Sequence, residues 1–224
     1  MLEKGGVIIL STNYFWVWIN DMTIPEILMR LEKQCADSIG SINDVNKSEY
    51  LVSDSMKRIQ DLVVKQAFLC VFSEWEHFLE NATIAYSLGE HSTNGNKPLC
   101  YIVPQDEDHA NRLIKGTAPY PDWSQMQTVK ELEMALFKDG EPFISALNGF
   151  ASRYKEMKTV RNHIAHNSIK SQNEFDTLVR NVLRASSVGI STSEFLLSKK
   201  GGQPPFFEIY ISCFKNAATI ISSY

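Results

Sequence analysis

A helical repeat that runs unbroken from about Ser53 to Leu88 constrains this chain more than any other feature. Ile59, Leu62, Val63, Ala67, Cys70, Val71, Trp75, Phe78, Leu79, Ala82 and Tyr86 recur at spacings of three and four, with no proline or glycine between them. That spacing lays the apolar side chains along one helical face. Gly89 follows where a C-terminal cap is expected. A segment of this length commits the chain to a mostly α architecture.

Shorter helical patterns flank it. Ile27, Leu28, Leu31 and Cys35 predict a first helix from Ile24 to about Ile39, with Pro25 tolerated in the first turn. Thr128 and Glu131 have capping-box spacing and predict a short helix through "VKELEMALF". Beyond Asp139, Gly140 and Pro142, the repeat Phe143, Leu147, Phe150, Tyr154, Met157, Val160, Ile164 predicts one helix ending near His166. Ser171 and Glu174 have the spacing to open the next helix, which carries Phe175, Leu178, Val179, Val182 and Leu183. The tail from Phe206 to Tyr224 fits a helix best, although "FFEIYI" also suits a strand.

Residues Gly89 to Gln127 interrupt the pattern with Asn94, Gly95, Pro98, Pro104, Gly116, Pro119 and Pro121. A loop of this length in a compact domain is usually functional or an inserted subelement. Its run "LCYIV" fits a short strand. Tyr101, Tyr120 and Trp123 alternate with Arg112 and Lys115, a composition able to stack bases, but Asp106, Glu107, Asp108 and Asp122 weigh against it. The opening "VIILSTNYFWVWI" is too short and too interrupted to span a bilayer, lacks the features of a signal peptide, and suits a strand as well as a buried helix. One domain over residues 1–224, with 89–127 inserted, is the economical reading.

Composition narrows the function classes. The chain is 44% hydrophobic and 21% charged with a net charge of −4, so it has no global basic footprint, and any nucleic-acid contact must be local. Cys35, Cys70, Cys100 and Cys213 are far apart and form no CxxC pair, which favours reduced thiols in a cytoplasmic protein over a disulfide framework or zinc site.

The densest chemistry lies in "KTVRNHIAHNS", from Lys158 to Ser168. On a regular helix Arg161 and His166 are about 140° apart, whereas His163 and His166 share a face. Neither H-E-x-x-H nor a third ligand accompanies that pair, so no metal is expected. A titratable histidine near a fixed cation suits RNA cleavage through the ribose 2′-hydroxyl. Cations also gather at helix C-termini simply because the helix dipole favours them there. Upstream, Glu76 and Glu80 share a face and Glu74 points elsewhere. These acids suit a solvated face or a partner for Arg161. If one of them positions Arg161, Glu74→Gln or Glu76→Gln lowers activity without changing thermal stability.

Arg161-Asn162-His163-Ile164-Ala165-His166, together with "FLCVFSEWEHFLENATIAYSLG", resembles the HEPN superfamily of α-helical domains, whose members carry an R-x(4–6)-H motif. The resemblance covers the two central helices, with the insertion and both ends outside it. It implies an antiparallel helical bundle and a homodimer in which two motifs meet in a cleft. It also implies metal-independent endoribonuclease activity without a cofactor, leaving a 2′,3′-cyclic phosphate and a 5′-hydroxyl, in a toxin or phage-defence effector. By position, Arg161 would stabilise the phosphate, His166 would transfer a proton and Asn162 would orient either group, with His163 in the variable spacer. Some toxins of this kind extend the motif with a tyrosine that an antitoxin modifies; Ser168 holds that place here. Two rivals are a non-catalytic module that binds a nucleotide, RNA or protein partner, and an interaction protein that uses the insertion.

Overall fold

The computed structural model describes residues 22–47, 53–116, 121–184 and 189–224. The opening apolar segment before Met22, and Tyr120 in the insertion, lie outside them. The described residues form an all-α fold: α1 (Ile24–Val45), α2 (Asp54–Ser87), α3 (Glu107–Lys115), α4 (Met126–Leu136), α5 (Phe143–Gly149), α6 (Ala151–His166), α7 (Ile169–Leu183), α8 (Thr192–Leu197) and α9 (Phe206–Ser222). No β-strand is present among them.

Helix α2 is the axis of the fold. At 34 residues it spans about 50 Å, and it packs against α1, α3, α6, α8 and α9. Its start is fixed by Ser53, whose side chain accepts from the Met56 N–H, and its end by Gly89 at φ 96°. Helix α1 runs antiparallel to α2: Arg30 meets Glu74, Ser38 Oγ donates to the Ala67 carbonyl, and Gln60 donates to Asn46. The α9 rings climb α2 in the same direction, from Phe207 on Phe68 to Phe214 on Phe72 and Trp75. Trp75 stacks on Phe78 at 5.6 Å and on Phe214 at 5.1 Å, with Phe150 edge-on. Trp75 and Phe78 are therefore core residues, as aromatic residues at helical spacing usually are.

Four local expectations change. Helix α1 continues to Val45, because Ser38 and Ile42 go on burying the same face. The helix after the insertion starts at Met126 with Gln125 as N-cap, so Thr128 lies inside it and caps nothing. The apolar repeat from Phe143 to Ile164 is two helices, broken at Phe150 (φ −132°), whose ring still serves the core through Trp75 and Tyr154. Ser168, not Ser171, is the N-cap of α7.

The insertion is ordered by its neighbours. "LCYIV" forms only an isolated antiparallel bridge, Cys100 to Phe137, and leaves Leu99, Tyr101, Ile102 and Val103 exposed. Residues 92–96 fold onto the end of α9: Thr93 N–H donates to the Ser222 carbonyl at 2.8 Å, and Asn96 Nδ2 to the Tyr224 main-chain oxygen at 3.0 Å. After α4, a 3₁₀ turn over Lys138–Gly140 sends the chain back into the core. Gly140 is required there, since it sits at φ 68° and a Cβ would run into Ile144.

Candidate functional site at the α6 C-terminus

Helix α6 stops immediately after His166 because Asn167 turns left-handed, at φ 42° and ψ 40°, while its N–H still bonds the His163 carbonyl at 3.0 Å. Asparagine tolerates this region better than most residues. Ser168 then opens α7: its side chain accepts from Ser171 N–H, and Ser171 Oγ accepts from Ser168 N–H at 2.9 Å. Only Asn167 and Ser168 separate the two helices, so the motif sits at a tight corner. The Ser168 hydroxyl is occupied as a structural cap.

Arg161 is held against α2. Its Nη2 lies 3.5 Å from Glu76 Oε1, its guanidinium carbon sits 5.8 Å from the Phe72 ring centre, and its Nη1 faces Asn162 Oδ1 at 3.4 Å. A cation over an aromatic face is stabilised by the ring quadrupole. With the side chain 29% exposed, the guanidinium keeps a face toward solvent. Burial raises the Glu76 pKa, against the pull of the Arg161 charge.

The two histidines part company. His163 is buried, stacks on Phe175 at 4.9 Å and 15°, and places Nδ1 3.5 Å from Ser171 Oγ. Burial lowers its pKa, and Lys65 adds to this against the pull of Asp176, so the ring is neutral near pH 7 and joins α6 to α7. His166 is exposed and makes no hydrogen bond, ion pair or ring contact among the described residues. It is the last residue of a regular helix, about 140° around the axis from Arg161. The fold thus brings together Arg161, Asn162 and Glu76 and leaves His166 on another side.

Glu74 belongs elsewhere. It pairs with Arg30 Nε at 2.7 Å and lies 3.7 Å from His77 Nδ1, fastening α1 to α2. The hydrogen bond to Glu74 chiefly raises the His77 pKa. The sequence does not signal Phe72 beside Arg161, or Lys158 and Asp122 beside Glu76, as parts of the site. Lys158 was findable from its place three residues before Arg161 on the same helix. Asp122 was not, since it arrives from the insertion.

Of the aromatics in the insertion, Trp123 is 5% exposed and packs inward, which removes it as a base-stacking platform, while Tyr101 is exposed. A cavity of about 600 Å³ lies at the C-terminal end of α2, lined by Ile27, Ile84, Leu88 and Asp106. No group of three metal-ligating side chains is gathered among the described residues, and no helix there is long and apolar enough to cross a membrane. Comparison with family models, with curated proteins and with solved structures finds no match.

Proposed function

We propose that this chain is a metal-independent endoribonuclease of the HEPN type, working as a homodimer in a toxin or phage-defence system with a possible antitoxin or regulatory partner. The reading rests on one observation above all: Arg161 is held by Glu76 and Phe72 at the same helix end that presents an unpartnered His166. The two side chains diverge by about 140° on one helix, so a second copy is the simplest source of a histidine facing Arg161.

In the proposed reaction a histidine removes the proton of a ribose 2′-hydroxyl, and the freed oxygen attacks the adjacent phosphorus. The bond to the 5′-oxygen breaks, and that oxygen leaves with a proton. The products are a 2′,3′-cyclic phosphate and a 5′-hydroxyl. Arg161 neutralises the charge that builds on the phosphoryl oxygens, and Asn162, beside its guanidinium, helps to orient it.

The ion pair with Glu76 and the separation of His166 favour a second reading. An arginine already neutralised and a histidine with no neighbour suit a non-catalytic module that binds a nucleotide, RNA or protein. Labelled RNA incubated in EDTA with the wild type and with a folded His166→Ala variant separates the two. The nuclease reading expects cutting by the wild type, cyclic-phosphate ends, and a loss of at least a hundredfold in the variant. RNA binding with no cutting by either protein would favour the module.

A further inference from the structure

Helix α6 presents a second cation beside Arg161. Lys158 lies one turn earlier, about 60° around the axis on the side toward His166, which is about 80° further round. Its Nζ is shielded from solvent and has no hydrogen-bond partner, and Glu76 Oε1 and the Trp75 indole nitrogen share that condition. An ammonium group withdrawn from water normally finds a carboxylate or carbonyl within bonding distance. Here Asp122, from the segment before α4, and Glu76, from α2, act on Lys158 only through space. Burial lowers the Lys158 pKa, Asp122 opposes this, and Arg161 adds to the lowering.

Both acids have other commitments. Asp122 Oδ1 accepts from the Ser124 N–H at 3.0 Å and from its hydroxyl at 2.6 Å. The Tyr154 hydroxyl, on α6, donates to the Ser124 carbonyl at 3.2 Å and keeps that segment against the helix. Glu76 approaches Arg161 at 3.5 Å, longer than a good charge-assisted bond. The result is two cations on one helical face beside two acids, neither of which bonds Lys158 and one of which, Glu76, leaves Oε1 without a hydrogen bond.

We propose that Lys158 and Arg161 together form a seat for one phosphate of single-stranded RNA, with Glu76 occupying the seat when no RNA is bound. This deepens the ribonuclease reading and rests on it. A phosphodiester offers two charged oxygens, one for the planar guanidinium fork and one for the point charge of the ammonium. Glu76 can give way because burial already disfavours its charged form. The seat also supplies what the R-x(4)-H spacing leaves open: a second cation on α6, between the directions of Arg161 and His166.

The test measures binding rather than cleavage. A 2′-O-methyl oligonucleotide, which cannot be cut through its 2′-oxygen, is titrated with the full chain across a potassium chloride series. Wild type, Lys158→Met, Lys158→Arg and Arg161→Gln are compared, and the melting temperature of each is recorded. For Lys158→Met the slope of log K against log salt should become shallower by about 0.7, the loss of one single-strand phosphate contact. Lys158→Arg should restore it. The melting temperature of Lys158→Met should hold or rise, because an unpaired buried ammonium has been replaced by an apolar side chain of similar length. An unchanged slope in Lys158→Met, with a reduced one in Arg161→Gln, would remove Lys158 from the seat and leave the ribonuclease reading standing. A weakened Lys158→Met that also melts early and is not restored by arginine would make Lys158 a packing residue and overturn the seat. If the wild type binds no oligonucleotide at any salt, both the seat and the reading beneath it fall.

Discussion

Glu133 shows how one buried side chain can set a pH dependence for the whole protein. It is fully buried on α4 and meets α2 through Thr83, with 2.6 Å between Glu133 Oε1 and Thr83 Oγ1, while its other oxygen has no partner. The Thr83 hydroxyl has one hydrogen and already lies 2.8 Å from the Leu79 carbonyl. A protonated Glu133 resolves the competition: the acid donates to Thr83, and Thr83 donates to Leu79. Burial accordingly pushes the Glu133 pKa from 4.5 to about 8. The native state therefore holds a proton that the unfolded chain releases, so this contribution is greatest below pH 4.5 and is lost as pH rises toward 8. Glu133→Gln, whose amide can donate to Thr83 without titrating, should raise the melting temperature at pH 8 and change it little at pH 5. Calorimetry at both values checks this, and a difference that does not vary with pH would rule out the neutral acid. That an acid of α2 can partner Arg161 is legible from charge, but the choice of Glu76 over Glu74 is not, since Glu74 is taken by Arg30. Glu133 was hidden, because nothing in "VKELEMALF" says which of its acids turns inward.

At the scale of the element, the corner between α6 and α7 carries the motif, and caps rather than packing fix its geometry. Ser168 closes the first turn of α7 through Ser171, and Asn167 ends α6 in the left-handed region. Ser168→Ala should cost about 1 kcal/mol, the usual value of an N-cap. Asn167→Gly should hold or gain stability, and Asn167→Val should lose it, since a β-branched residue is strained at positive φ. Urea unfolding of the three variants measures these differences, and equal stabilities for Asn167→Gly and Asn167→Val would refute the left-handed cap. The elements that were legible share a cause. Helix α2 was read to within a residue at each end because its apolar face is unbroken and both caps are encoded, by Ser53 and Gly89. The break at Phe150 was illegible because the residue that departs from helical φ is itself apolar and in phase, so the periodicity runs straight across it. Helix α8, six residues long, is too short to show a period at all. The apolar run "LCYIV" fits a strand, but a strand needs a pleated, half-buried surface to pack on, and here only one short bridge forms beside exposed side chains.

Across the whole molecule, the middle and the C-terminal end of α2 have separate duties. Its middle meets α6 at Glu76 and Arg161, whereas its C-terminal end is closed by the insertion and α9. Tyr86, in the last turn of α2, donates to the Ile221 carbonyl at 2.7 Å. Beyond it, the Ser92 hydroxyl donates to the Tyr224 main-chain oxygen at 2.8 Å, Thr93 Oγ1 to the Ser222 carbonyl at 3.0 Å, and Asn94 Nδ2 to the Ser223 carbonyl. These are the carbonyls that a helix end leaves without intrahelical partners. The insertion therefore caps α9 from outside, which explains how a glycine- and proline-bearing segment holds one course over this stretch. Removing two donors together, with Asn94→Ala and Asn96→Ala, should cost about 1–2 kcal/mol, since each exposed hydrogen bond contributes modestly. The loss should be cooperative in space: amide exchange should quicken both in residues 92–96 and in the last turn of α9, while α6 and oligonucleotide binding stay as in the wild type. Exchange that quickens only within 92–96 would mean that α9 is secured by Tyr86 and its apolar face alone. Loss of oligonucleotide binding with α9 unchanged would instead give the insertion a direct part in recognition.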